Sequence, residues 1–313
     1  MSEQGNDRRT TDRTTRRRIL QGASGALALG AASLGAAGRA GAQETGGGAV
    51  AKNGRIKQSL VHWCYEKYFD VDQMIAVAKQ LGCTSIELID PKHFPLLKKH
   101  GMECAIGTID MAPEPPFVKG FNNPKYRDRV IKATRDAIDA CSAHGFKKVI
   151  TFTGMAEDVP ADVGARNCVE GWKQVMPYAE RKGVTLCLEM LNSRDATNMK
   201  GHPGYQGDHT DYCVDIIKRV GSPNLKLLFD IYHVQIMDGD VIRRIRQLGD
   251  IIGHVHTAGN PGRGELDDKQ EISYKPIMEA LVEIGYTGFV AQEFIPTRDP
   301  MVGLRQAVAL CDV

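Results

Sequence analysis

The chain has 313 residues, of which 42% are hydrophobic and 25% charged, with a formal net charge of +2. This composition is typical of a globular protein with room for one large α/β domain. The chain has 40 basic and 38 acidic residues. The first 42 positions contain seven of the basic and three of the acidic residues, so the rest of the chain has 33 basic and 35 acidic residues. A chain without a basic excess is a poor partner for nucleic acid, because phosphate binding normally needs a clustered basic surface. The eight cysteines are scattered with no C-x-x-C pair, which favours buried thiols over a disulfide framework or a thiolate zinc site.

The N-terminus has the pattern of an export signal. Arginines at 16–18 precede an apolar run of small residues at 22–38, and Ala40-Gly41-Ala42 forms an A-x-A cleavage site. Paired arginines directly before the apolar run indicate the twin-arginine type. We therefore expect residues 1–42 to be removed on export through the twin-arginine machinery, to the periplasm or the cell exterior. The run is short and weakly apolar for an uncleaved membrane anchor, so no stable anchor is expected after cleavage.

Residues 43–54 are predicted to form a flexible glycine-rich linker, and residues 55–313 one catalytic domain. Short apolar runs and amphipathic runs alternate through this domain. The predicted strands are 58–63, 85–89, 103–109, 148–152, 186–191, 225–233, 251–257 and 288–294. The predicted helices are 71–81, 93–100, 124–144, 163–182, one ending near 220, 241–248, 274–284 and 302–311. Eight strand and helix pairs predict a (β/α)8 TIM barrel.

Glycines at the helix ends support this assignment. Gly82, Gly101, Gly145, Gly183 and Gly285 each stand where a helix should stop before the next strand. A doubly wound sheet is the competing fold, but it would require a glycine-rich phosphate loop after the first strand, and the sequence has none there.

Four successive apolar strands each end close to one residue of a metal-ligand type. These residues are Glu189, Asp230, His256 and Glu293. A single carboxylate at a strand end is often a loop anchor or a helix cap, but four in succession favour a site at the C-terminal face of the barrel. Three carboxylates and one imidazole suit Mn²⁺ or Mg²⁺ best, with Co²⁺ or Zn²⁺ as further candidates. Such a metal can support enediolate proton transfer or hydrolysis, and the composition does not choose between them.

The second half of the chain resembles the hydroxypyruvate isomerase family, within the xylose-isomerase-like barrels of sugar isomerases and epimerases. The motifs that carry the resemblance are EMLN at 189–192, PGY at 203–205, DIYHVQ at 230–235, HVHTAGNPGR at 254–263, EISY at 271–274, GYTG at 285–288 and QEF at 292–294. The first half is similar only in architecture.

The resemblance implies a role for each residue of the site. It makes Glu189, Asp230, His256 and Glu293 the metal ligands, with Glu189 and Glu293 also acting as the acid and base. His233, Arg263 and Asn192 would bind the substrate. Hydroxypyruvate isomerases typically have Gln at the position of His256, whereas related ketose epimerases have His, and the 267–272 loop is one residue longer here. An export signal also fits poorly with hydroxypyruvate, a cytoplasmic metabolite.

The function expected from the sequence is therefore a metal-dependent isomerase or epimerase of a small sugar or hydroxy-keto acid. Two other classes stay open: an exported lyase or hydrolase acting on oxidised sugars, and a sugar-binding barrel without catalytic activity. Several polar residues are given structural interpretations instead. His254 is expected to be a packed barrel histidine, and Trp63 and Phe117 core aromatics. Five further polar residues are expected on the surface: His202, His209, Glu265, Asp267 and Asp268.

Overall fold

A computed structural model describes residues 49–313. The predicted signal peptide, residues 1–42, and residues 43–48 of the predicted linker lie outside the described residues. No helix in the described part of the chain is both long and apolar enough to cross a membrane.

Seven parallel strands form one curled sheet. They are β1 (Lys57–Val61), β2 (Ser85–Glu87), β3 (Lys148–Thr151), β4 (Thr185–Glu189), β5 (Leu225–Asp230), β6 (Ile252–Thr257) and β7 (Phe289–Gln292). Their order in the sheet is β2-β1-β7-β6-β5-β4-β3. Nearly all strand residues are buried, as expected for parallel strands covered by helices on the outside and by barrel side chains on the inside.

The α-helices follow the strands in sequence. They are α1 (His62–Tyr65), α2 (Val71–Leu81), α3 (Phe94–Lys99), α4 (Arg127–Ala143), α5 (Ala161–Lys182), α6 (Thr210–Val220), α7 (Ile231–Met237), α8 (Val241–Leu248), α9 (Tyr274–Glu283) and α10 (Pro300–Cys311). All five glycines predicted at helix ends have a positive φ, between 63° and 82°. Their left-handed conformation ends these helices and turns the chain toward the next strand.

The predicted third strand, 103–109, is not a regular strand, although it fills the eighth position of the barrel. It lies between β2 and β3, with single bridges from Glu103 to Ser85 and from Gly107 to Val149. Between these bridges the Ala105 N–H donates to the Ser85 hydroxyl, at 2.8 Å, instead of to a strand carbonyl. Gly107 is required by packing, since a Cβ there would lie 2.5 Å from the Cys141 sulfur. The barrel is thus closed by seven strands and one irregular segment.

The end of the predicted linker contacts the barrel. The Ala51 N–H donates to the Leu81 carbonyl, at 2.9 Å, and the Lys52 and Asn53 N–H groups donate to the Asp312 carboxylate. Val50 and Ala51 are packed against the core. Residues 50–53 of the predicted linker are therefore packed on the barrel and join the start of the domain to its end.

Candidate metal centre

The four predicted ligands meet at one end of the barrel. Glu189 and Asp230 are the last residues of β4 and β5, His256 is near the end of β6, and Glu293 directly follows β7. Because the strands are parallel neighbours, their C-terminal ends lie at the same edge of the barrel. One ligand atom from each residue lies within 4.8 Å of the others, and all four residues are buried.

The donor atoms of this cluster fit a cation. Glu189 Oε1, Asp230 Oδ2 and His256 Nδ1 are buried without a hydrogen-bond partner in the described structure. His256 Nδ1 lies 2.9 Å from Glu293 Oε2 and 3.5 Å from Glu189 Oε1. Buried acceptors facing one another are costly unless a proton or a metal ion lies between them. Three carboxylates and one imidazole nitrogen match the preferences of a hard or borderline divalent ion.

The two carboxylate oxygens of Asp230 have different surroundings. Its Oδ1 caps α7 by accepting the Tyr232 N–H, at 2.8 Å, and the His233 N–H, at 3.3 Å. These contacts fix the side chain at the junction of β5 and α7. The other oxygen, Oδ2, is left to face the cluster.

Arg263 is part of the centre and is not a solvated loop residue. Its guanidinium is buried, 2.7 Å from Glu293 Oε2 and 3.7 Å from Asp230 Oδ2, and its Nη1 donates to the Met199 carbonyl. Trp63 covers this arginine, with the guanidinium carbon 5.2 Å from the ring centre, and donates its indole N–H to Glu293 Oε1, at 3.1 Å. Both oxygens of Glu293 are thus held by protein donors, whereas Glu189 Oε1 has none.

His233 presents one ring nitrogen to the centre. Its Nδ1 accepts from the backbone N–H of Asn192, at 3.1 Å, and lies 2.7 Å from the Asn192 side-chain amide. The ring proton must therefore be on Nε2, which lies 3.6 Å from Asp230 Oδ2 and has no hydrogen-bond partner. This N–H is a buried donor without an acceptor in the described structure.

Asn192 occupies a different position from the one predicted. Its side-chain amide contacts His233 and the Lys200 carbonyl, and its side-chain oxygen accepts from the Asp195 N–H. The side chain is fully buried, and these contacts leave no amide group for a substrate. The geometry assigns Asn192 to holding His233 and the following loop, in place of the predicted contact with substrate.

The charges of the centre separate the pKa values of its carboxyl groups. Burial, together with the Glu293 charge, raises the pKa of Asp230 to about 7. Burial also raises the pKa of Glu189. For Glu293, burial is outweighed by the charges of His256 and Arg263, which lower its pKa well below the usual range. Glu293 is therefore the group most strongly held in its ionised form.

The pKa values of His233 and His256 shift in opposite directions. Burial and the positive charge of Arg263 lower the pKa of His233 well below its usual value, so its ring is neutral. Burial would also lower the pKa of His256, but the Glu293 and Glu189 carboxylates outweigh it and raise the pKa well above 6.5. A proton and a cation therefore compete for His256 Nδ1.

A cavity of about 390 Å³ opens above the cluster. Glu189, Glu293 and Arg263 form its polar floor. Its wall is largely apolar and consists of Trp63, Leu88, Thr108, Pro115, Pro116, Phe117, Ile150, Phe152, Leu191, Met199 and His202. A floor of converging charged groups under an apolar wall is the usual form of a small-molecule site.

Four of the surface and core expectations are wrong, including that for Trp63, which lines the cavity. His202 is buried and packs against Phe117, with ring centres 4.1 Å apart, so both residues line the cavity. Glu265 is also buried, where its carboxylate accepts from Thr297. These contacts join loops that are distant in sequence, which a local pattern does not reveal. His209 and Asp268 are exposed, as expected, and Asp267 is half-buried.

Glu87 is the polar residue of the barrel that the sequence analysis missed. His254 is a buried, hydrogen-bonded barrel histidine, as expected, and its partner is Glu87 Oε1, at 2.7 Å. The same oxygen lies 2.9 Å from His256 Nε2. Burial would raise the pKa of Glu87, but the two histidines lower it to about 2. The available signal was a single acid inside the apolar run 83–89 (CTSIELI), where a charge needs a buried partner.

All eight cysteines are buried and unpaired, in agreement with the expectation of free thiols. Burial raises the pKa of Cys187 to about 11 and that of Cys83 to about 12, so these thiols stay protonated.

Comparison with known proteins relates the chain to isomerases. A 2-oxo-tetronate isomerase of Cupriavidus necator is 34% identical over 154 residues, 48% of this chain and 56% of that protein. A hydroxypyruvate isomerase of Escherichia coli is 31% identical over 185 residues, 58% of this chain and 66% of that protein. The chain therefore spans between about half and two thirds of the length of these relatives.

Solved structures support the fold. A family 2 AP endonuclease of Brucella melitensis superimposes with a TM-score of 0.71 at 24% identity, covering 80% of this chain and 96% of that one. A D-psicose 3-epimerase gives a TM-score of 0.66 at 18% identity, covering 82% and 100%. The sequence model of the xylose isomerase-like TIM barrels matches residues 75–311, from α2 through α10. With this match and the closed parallel barrel, the chain belongs to the xylose isomerase-like TIM barrel family.

Proposed function

We propose that this protein is a divalent-metal-dependent isomerase or epimerase of a small hydroxy-carbonyl compound or sugar. The observation that carries the proposal is the convergence of Glu189, Asp230, His256 and Glu293, with three of their ligand atoms unpartnered in the described structure and two of the residues, Glu189 and Glu293, lining a cavity. The names of the curated relatives support the same reaction class. Mn²⁺ and Mg²⁺ are the preferred ions for this donor set.

The cluster would hold the ion, and the residues around it would hold and move protons. A bound divalent ion would stabilise the negative charge that develops on a substrate carbonyl oxygen when a neighbouring C–H bond loses its proton. Glu189 would bind the ion through Oε1, which has no donor from the described part of the protein, and would accept that proton on its other oxygen. Glu293 is fixed by Trp63 and Arg263 and is held in its ionised form, so it would return a proton to the substrate after taking one up from solvent.

Two other groups would fix the substrate. His233 offers its Nε2–H, the ring nitrogen without a partner, to a substrate oxygen. Arg263 adds positive charge close to the same place and balances the carboxylates. The apolar wall, which includes Phe117 and Trp63, would exclude water from the reacting carbon.

The test is exchange of substrate hydrogen with solvent. The purified protein, loaded with Mn²⁺ or Mg²⁺, is incubated in D₂O with a panel of ketoses and 2-keto acids, and deuterium at the carbon next to the carbonyl is followed by NMR. An isomerase or epimerase incorporates deuterium and forms an isomer of equal mass apart from the label. Products of bond cleavage would identify a lyase or hydrolase instead. Binding of a panel member without exchange or cleavage would identify a sugar-binding barrel.

We also propose that the protein acts outside the cytoplasm, after export by the twin-arginine route. The arginines at 16–18, the apolar run and the A-x-A site at Ala40–Ala42 support this proposal.

A further inference from the structure

Glu87 and two histidines form a closed polar cluster inside the barrel, below the candidate metal centre. Glu87 Oε1 lies 2.7 Å from His254 Nε2 and 2.9 Å from His256 Nε2, and the side chains of all three are fully buried. Glu87 belongs to β2 and both histidines to β6. These distances are those of charge-assisted hydrogen bonds. Glu87 is the only one of the three that is not on β6, and His256 is the only one that belongs to both clusters.

The hydrogen-bond chemistry of this cluster determines where the protons are. A carboxylate oxygen only accepts, so each imidazole must donate from Nε2 to Glu87 Oε1. For His256 this leaves Nδ1, on the opposite side of the ring, facing Glu189 and Glu293.

The alternative position of the proton would close the metal centre. His256 Nδ1 lies 2.9 Å from Glu293 Oε2, so a neutral ring with its proton on Nδ1 would donate to Glu293 and offer no lone pair there. The Glu87 carboxylate beside Nε2 opposes that arrangement, because Glu87 would lose the hydrogen bond that it accepts from His256. The structure thus contains two carboxylates competing for one imidazole proton from opposite sides of the ring.

We infer that Glu87 is a positioning residue that holds the His256 proton on Nε2 and so keeps Nδ1 free as a metal ligand. The inference rests on the metal site of the proposed function. Partners of this kind raise the basicity of a ligand histidine and fix its ring, and their loss typically costs 10–100-fold in metal affinity.

Two variants of Glu87 and one control separate this role from a general effect on the core. Glu87→Gln keeps an acceptor oxygen but removes the charge, and Glu87→Leu removes the acceptor. The matched control is His254→Leu, which is equally buried on β6 and removes the other hydrogen bond to the same oxygen but not that of His256. The two rings pack edge to face, with centres 5.0 Å apart, so this control also reports the effect of altered packing on His256.

The measurements are metal affinity, by competition with a chromogenic chelator, and exchange of the His256 ring proton. Bound Co²⁺ shifts the N–H proton of a ligand histidine outside the normal proton NMR range, so its exchange with solvent can be followed directly. We expect a 10–100-fold loss of Co²⁺ affinity in Glu87→Leu and a several-fold loss with faster proton exchange in Glu87→Gln. Affinity and exchange in His254→Leu should stay close to wild type.

Each result decides the inference. If Glu87→Gln has the metal affinity and proton exchange of the wild type, the inference is overturned. This holds even if Glu87→Leu does not fold. A loss in His254→Leu as large as in Glu87→Leu overturns it too, since the effect would then come from the core. Two metal ions per wild-type chain would overturn the inference as well, because the cluster of Glu87, His254 and His256 would then be a second metal site. No Co²⁺, Mn²⁺ or Mg²⁺ binding by the wild type would instead overturn the metal site of the proposed function.

Discussion

At the scale of single residues, the candidate centre depends on which atom of each side chain is already bonded to the protein. Asp230 and Glu293 are fixed by protein donors, and His256 by Glu87 on the far side of its ring. Glu189 is the exception, because its Oε1 has no partner. A rigid ligand set with one less constrained carboxylate combines metal binding with a group that is able to carry a proton.

Asp230→Asn should lower metal affinity while leaving the fold intact. The amide oxygen can keep the cap on α7 in place of Oδ1, but an NH₂ group replaces the free oxygen that faces the cluster. Metal content per chain after dialysis measures the loss, and the thermal unfolding midpoint of the metal-free protein is the control. Unchanged metal content would remove Asp230 from the ligand set.

Glu189→Gln and Glu293→Gln should each lower turnover strongly with little change in the fold. Each variant removes a proton-transfer group, whose contribution is typically of order 10²–10⁴-fold. The variant that keeps the proton-abstracting carboxylate should still exchange the substrate's α-hydrogen with D₂O, and the other should not. Because Glu189 is the proposed proton acceptor and Glu293 is held by Trp63 and Arg263, we expect exchange to persist in Glu293→Gln. Equal and modest losses in both would indicate metal tuning and would favour the binding-protein alternative.

At the scale of elements, regular secondary structure could be predicted from the sequence and irregular structure could not. The helices Val71–Leu81 and Val241–Leu248 have the predicted bounds, because each has an amphipathic repeat, and the first is also capped by Asp70 and Gly82. The segment 103–109 has the apolar pattern of a strand, but it pairs with its neighbours through single bridges, and the Ala105 N–H donates to the Ser85 hydroxyl instead of to a strand carbonyl.

The same limit applies to the site. The convergence of the four candidate ligands could be predicted because each one interrupts an apolar strand near its end. The wall of the cavity could not, because Phe117 and His202 come from two loops that meet only in the folded chain. Helix α7 was also not predicted, because it follows β5 directly, with Asp230 as its N-cap, and no turn residues separate the two elements in the sequence.

Ser85→Ala should destabilise the irregular closure of the barrel. The change leaves the Ala105 N–H without its acceptor in a buried place, which typically costs about 1–3 kcal/mol. Urea unfolding of the metal-free protein measures the free energy of unfolding. The matched control is Ser59→Ala, which removes the hydroxyl that donates to Ser85 but leaves the Ala105 contact in place. Equal losses in the two variants would show that the Ser85 contact to Ala105 has no special role.

At the scale of the whole molecule, the eight buried, unpaired cysteines bear on where the chain folds. Exported proteins that fold in an oxidising compartment commonly use disulfides, whereas thiols stay reduced in the cytoplasm. A barrel that buries every thiol before export gains protection from oxidation, because reactivity requires an accessible thiolate. Folding before export is what the proposed twin-arginine route would require, and it would let the metal bind where its supply is controlled.

Changing Arg16 and Arg17 together to lysine should therefore leave the protein in the cytoplasm with its N-terminus uncut. Lysine keeps the positive charge, so a loss of export would mean that the machinery reads the arginine pair itself as an address. The matched control is Arg8→Lys with Arg9→Lys, a second arginine pair that lies further from the apolar run. Cell fractionation with mass spectrometry of the N-terminus gives the result, and the control should be exported and cut near Ala42 like the wild type. Export and cleavage of the Arg16 and Arg17 variant would contradict the twin-arginine assignment, and with it the proposal that the enzyme works outside the cytoplasm by this route.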